Sequence, residues 1–88
     1  MTSRATLRVR CRFFARYHEL LGREQCDLEL PVGATVRDAV SAVRELTGAR
    51  AAGLPDRPLV AVNREHALYD RLLADGDEMA LLPPLAGG

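Results

Sequence analysis

The 88-residue sequence contains no tryptophan and no lysine, and only two cysteines, two phenylalanines and two tyrosines. All twelve of its basic residues are arginine, so no side-chain amine is present to receive an isopeptide bond. Cys11 and Cys26 have neither the C-x-x-C spacing of a redox motif nor the paired clusters of a zinc site. Both read as reduced, and Cys11 falls on the apolar phase of a strand, where it serves as a small buried hydrophobe. The apolar runs are a few residues long, far below the roughly 20 needed to span a bilayer. Residues 1–5 are not followed by the apolar block of a secretory signal, so the expected location is cytoplasmic and away from membranes. Twelve bases balance twelve acids, which removes the usual electrostatic argument for binding nucleic acid or an anionic membrane.

Catalytic signatures are scarce too. There is no Gly-rich phosphate loop, no Ser in a G-x-S-x-G elbow and no metal-spaced His/Cys set. His18 and His66 stand alone, and read as solvated or capping residues, although His18 on a short helix is placed to tune binding with pH. Asp75, Asp77 and Glu78 lack the remaining ligands of a calcium loop and read better as a tight turn. No metal site and no bound cofactor are expected.

What is present is a globular pattern: 48% hydrophobic residues without low-complexity runs, in a length that suits one modest core. Residues 7–13 alternate strictly, with Leu7, Val9, Cys11 and Phe13 on one face and Arg8, Arg10 and Arg12 on the other. Residues 15–21 suit a short helix closed by Gly22. Residues 27–30 alternate again, and their outward Asp27 and Glu29 are placed to pair with the arginines of the first strand. Thr35 and Asp38 fit a capping box that opens a helix with apolar positions Val36, Ala39, Val40, Val43 and Leu46, ended by Gly48. Residues 49–58 read as a loop. Residues 59–62 form a continuous apolar run, the mark of a strand covered on both faces. A turn at 63–65, a weak strand at 66–69, a sharp turn at Asp75-Gly76-Asp77 and a strand at 78–82 complete the order. Such elements bury their faces most simply as an α+β domain: a mixed sheet wrapped on one main helix, the β-grasp arrangement. The expected domain is 1–82, followed by an extended tail, 83–88.

In that tail Pro83 and Pro84 remove two backbone donors and end the strand, and Gly87 and Gly88 give a tip without side chains. Such a tip threads channels too narrow for a Cβ.

With these residues the sequence resembles the MoaD/ThiS family of sulfur carriers over essentially its whole length. The resemblance rests on Phe13-Phe14-Ala15 with Glu19-Leu20 and Gly22, on Val60-Ala61-Val62-Asn63, and on Asp75-Gly76-Asp77-Glu78 running through Leu82 to Pro83-Pro84-Leu85-Ala86-Gly87-Gly88. The Phe-Phe-Ala and Pro-Pro segments look more like the molybdopterin branch of the family than its thiazole branch. The sequence departs at His18, where many members carry Arg, which leaves open any ion pair that Arg makes with a partner. The resemblance implies that the chain is no catalyst by itself but the small, sulfur-donating member of a heterotetrameric synthase. A MoeB-like ATP-dependent adenylyltransferase would activate the Gly88 carboxylate, and a persulfide donor would convert the glycyl adenylate to a thiocarboxylate. The tail would then deliver sulfur to cyclic pyranopterin monophosphate inside a MoaE-like large subunit. Gly88 is thus the expected reacting residue, and Phe14, Leu82, Pro83, Pro84, Leu85, Ala86 and Gly87 are the expected partner contacts. Carriers for thiazole or cysteine synthesis, a protein-conjugating modifier and a β-grasp adaptor remain alternatives.

Overall fold

The computed structural model describes residues 5–84. Strand β1, Thr6–Phe13, buries its odd-numbered side chains and exposes Arg8, Arg10 and Arg12, as its alternation requires. It pairs antiparallel with β2, Gln25–Pro31, which begins two residues before the predicted 27–30 because Gln25 and Cys26 still find partners in Arg12 and Cys11. The register sets Arg8 against Glu29 and Arg10 against Asp27. Arg10 Nε lies 3.3 Å from Asp27 Oδ1, an exposed pair that contributes about 0–1 kcal/mol.

Helix α1, Arg16–Leu21, starts one residue later than expected. Ala15 is its cap, with φ 52° and no side-chain hydrogen bond. The helix buries Tyr17 and Leu21 and closes on Gly22, whose φ of 73° is the left-handed conformation that glycine adopts without a Cβ penalty.

Helix α2, Val36–Thr47, opens with the predicted box: Thr35 Oγ1 accepts from the Asp38 N–H at 3.4 Å, and Asp38 Oδ2 accepts from the Thr35 N–H at 2.9 Å. Val36, Ala39, Val40 and Val43 are buried against the sheet, but Leu46 is 51% exposed and lies outside the core. The chain does not lapse into an irregular loop after Gly48. It continues as a 3-10 helix, Gly48–Gly53, and Ala51 within it and Leu54 just after it are buried. Arg44 fastens this segment, donating to the carbonyls of Ala51, Pro55 and Asp56.

Strand β3, Leu59–Val62, differs from the expectation of cover on both faces. Val60 and Val62 are buried, whereas Leu59 is exposed and Ala61 half-buried. A two-residue turn with positive φ at Asn63 and Arg64 leads to β4, which is only Glu65–His66. Strand β5, Glu78–Leu82, follows the turn at Gly76, φ 86°. It is the middle strand of a five-stranded mixed sheet of order β2-β1-β5-β3-β4, parallel to β1 and antiparallel to β3. Both helices and the 3-10 segment cover the inner face, and the buried residues of sheet and helices form one apolar cluster. This is the predicted α+β architecture. Among the described residues no helix is long and apolar enough to cross a membrane.

Candidate functional site

The face of the sheet turned away from α2 carries the site. Alternation along β5 sends Met79 and Leu81 into the core and leaves Glu78, Ala80 and Leu82 on the outer face. The neighbouring strands place Arg12 beside Ala80 on one side, and Ala61 beside Ala80 and Leu59 beside Leu82 on the other. Two alanines therefore meet in the middle of the face, and their small side chains leave a groove of about 390 Å³ lined by Arg12, Phe14, Ala61, Arg64, Glu78, Ala80 and Leu82.

Phe14 reaches this groove because the chain turns at Ala15. After Phe13 has taken the last inward position of β1, Ala15 adopts a positive φ that few non-glycine residues tolerate, and Phe14 remains 41% exposed. The guanidinium of Arg12 sits 5.5 Å from the Phe14 ring centre and 3.8 Å from Glu78 Oε1. The groove thus has an apolar floor and wall, with a paired cation and carboxylate at one side.

Of the predicted contacts, Phe14 and Leu82 come together in this groove, and Pro83 and Pro84 follow Leu82 directly, the first half-buried and the second exposed. Leu85, Ala86, Gly87 and Gly88 lie outside the described residues. The sequence reading did not assign Arg12, Ala61, Arg64, Glu78 or Ala80 to the site. The signal was there in the alternation of residues 78–82 against 59–62, but reading 59–62 as covered on both faces hid Ala61.

The other singled-out residues have structural work. His18 and His66 are exposed and neither lines the groove; the His18 carbonyl accepts the Gly22 N–H. Asp75 Oδ1 accepts the Arg8 N–H at 2.8 Å. Asp77 accepts from the Ala74 N–H, the Asn63 amide and Arg71. Burial alone would raise the Asp77 carboxyl, but those three donors and the Arg71 charge together hold it below the ordinary carboxylate range. Among the described residues no group of three or more His, Cys, Asp or Glu side chains is placed to hold a metal. Among the described residues the groove's one acid, Glu78, is paired with Arg12, and the lining they form offers apolar and charged contacts rather than a nucleophile with a base beside it.

A helix laid across one face of a five-stranded mixed sheet, with the first and last strands parallel at its centre, defines a ubiquitin-like β-grasp domain. The chain belongs to the ThiS family, whose model matches residues 11–88. It is 32% identical over 83 residues to the molybdopterin synthase sulfur carrier subunit of Escherichia coli, covering 91% of this chain and 99% of that one. Among solved structures it is similar to a protein assigned as molybdopterin converting factor subunit 1 from Pyrococcus furiosus, with a TM-score of 0.78 and 29% identity, over 90% of this chain and 99% of that one. The crystal structure of small archaeal modifier protein 1 from Haloferax volcanii is as similar, with a TM-score of 0.78 and 28% identity over the same shares of the two chains.

Proposed function

We propose that this protein is a sulfur carrier for molybdopterin synthesis and that its working group is the carboxyl of Gly88. The observation that carries the reading is the groove at the end of β5. It runs along β5 to Leu82, after which the chain leaves the sheet through Pro83 and Pro84, in a chain of the ThiS family that is similar to a synthase's sulfur carrier subunit.

The chemistry accounts for a site without catalytic side chains. A carboxylate becomes an acylating group once its oxygen is a good leaving group, and adenylation by ATP, with loss of pyrophosphate, supplies that. The outer sulfur of a persulfide then displaces AMP, and a thiol cleaves the resulting S–S bond to leave a thiocarboxylate. That sulfur is a soft nucleophile suited to building a dithiolene on a cyclic pyranopterin monophosphate. The carrier's part is to be recognised in turn by an adenylyltransferase, a sulfur donor and the synthase large subunit. The groove of Phe14, Ala80 and Leu82 gives those partners apolar anchors beside the tail, which glycines cannot provide.

The test is intact-mass spectrometry after incubation with ATP, the activating enzyme and a persulfide donor. The protein gains the mass of one oxygen-to-sulfur exchange, confined to the C-terminal peptide, and a variant extended by one residue after Gly88 does not. An unchanged mass for the native chain overturns the reading. The similarity to an archaeal modifier protein favours a second reading, in which Gly88 is joined by an amide bond to lysines of other proteins. Recovery of such conjugates in place of the thiocarboxylate would select it; having no lysine, the chain offers no side-chain amine for conjugation to itself.

A further inference from the structure

The two cysteines, which the sulfur-carrier chemistry leaves unused, are direct cross-strand partners. Cys11 of β1 faces Cys26 of β2 in the antiparallel register, both point into the core, and both are free thiols. The backbone bonds around them fix the type of pair. The Phe13 N–H donates to the Glu24 carbonyl at 2.8 Å and the Val32 N–H to the Ala5 carbonyl at 3.4 Å, in one continuous register. Counting by twos from either bond makes Cys11 and Cys26 a hydrogen-bonded pair, whose Cα atoms lie about 5.5 Å apart. Disulfides span Cα separations of roughly 4.4–6.8 Å. The Cα separation lies within that range, while the Cβ atoms of a hydrogen-bonded pair stand at its wide side, so closing the bond draws the two strands slightly together and leaves a strained, readily reduced linkage.

We propose that Cys11 and Cys26 are a two-electron oxidation site, a buried dithiol that closes into a β1–β2 disulfide on reaction with a hydroperoxide. The two thiols are not equivalent. Cys11 is fully buried, and burial with Cys26 beside it pushes its thiol far up. Cys26 is 7% exposed; burial and the neighbouring Asp27 raise its thiol, and Arg23 offsets only part of that. As the more accessible of the two sulfurs, Cys26 is the first to react. Its thiolate attacks the peroxide, an S–O bond forms as the O–O bond breaks, and the departing hydroxide is protonated to water. The Cys11 sulfur then attacks the sulfenic sulfur of Cys26, the S–S bond forms as the S–O bond breaks, and the hydroxide leaves with the Cys11 proton as a second water. Two thiols and one hydroperoxide molecule give one disulfide and two waters when the oxidant is hydrogen peroxide. The product closes a loop that contains α1 and Phe14 of the groove.

The experiment uses the purified full chain, reduced and then treated with hydrogen peroxide, and does not depend on any sulfur-carrier partner. The monomer loses the mass of two hydrogen atoms, and tryptic digestion without reductant links Cys11-Arg12 to the peptide 24–37, a link that dithiothreitol dissolves. Cys26→Ser keeps the fold by circular dichroism and yields no linked peptide. Oxygen adducts without the linked peptide, intermolecular disulfide dimers, or thiols that stay reduced under the same treatment would each overturn the proposal.

Discussion

Asp77 shows how a single carboxylate joins two turns that are distant in sequence. One oxygen accepts the Asn63 amide at 2.9 Å, and the other accepts the Ala74 N–H at 2.8 Å, with Arg71 at 3.5 Å. Asn63 returns the link by accepting the Glu78 N–H at 3.0 Å. The Asp77 side chain is 11% exposed, so the carboxylate loses much of its water when the turn forms. Asp77→Asn keeps the shape but sets an amide against donors on one side, and should cost about 1–3 kcal/mol at neutral pH. The folded carboxyl sits below its ordinary value of 3.8. Its contribution is therefore complete above that value and is lost as the pH falls through the lowered one. Urea melts at neutral and strongly acid pH check this: the gap between native chain and variant should be full at pH 7 and shrink toward zero in acid. A gap independent of pH would show that the charge is not what stabilises the turn. The sequence signalled the turn at 75–77, but not its tie to Asn63, because a hydrogen bond between two loops has no local pattern.

Elements whose signal is local were legible, and those set by neighbours were not. The alternation of β1, the Thr35–Asp38 box and the Gly22 cap each depend on a few consecutive residues, and each formed where expected. Leu46 matched the helical phase of α2 yet is exposed, while Ala51 of the 3-10 segment and Leu54 just after it are buried, a choice fixed by tertiary packing. Strand β3 looked doubly covered because Leu59 and Ala61 are apolar, and apolarity alone cannot distinguish a buried face from one awaiting a partner. The box itself gives a prediction at this scale. Thr35→Ala removes the acceptor for the Asp38 N–H and should cost about 1 kcal/mol, lowering the melting temperature by roughly 4–8 °C, while Thr35→Ser retains most of that stability. Equal melting of Thr35→Ala and the native protein would mean that the box contributes nothing to α2.

At the scale of the whole molecule the sheet divides the labour between its faces. The inner face meets α1, α2 and the 3-10 segment and supplies the stability; the outer face carries arginines, acids and one small apolar groove beside the exit of the tail. The sequence revealed the ends of that groove, Phe14 and Leu82, through the resemblance, but its floor depends on the pairing of β5 with β3, which is long-range. That division allows binding and folding to be tested separately. Ala80 is half-buried and outward, opposite Ala61, and its replacement by arginine would fill the floor of the groove and bring a third cation beside Arg12 and Arg64. A partner that lays an apolar surface there would have to strip water from the new charge without offering it a counter-ion. Ala80→Arg should therefore melt within a few degrees of the native protein but bind the synthase large subunit at least tenfold more weakly, about 1.4 kcal/mol, in titration calorimetry. Val40→Asp, by contrast, buries an unpaired charge under the opposite face and should abolish folding and binding together. If Ala80→Arg binds as tightly as the native chain, the groove is not the docking surface, and recognition must rest on the tail alone.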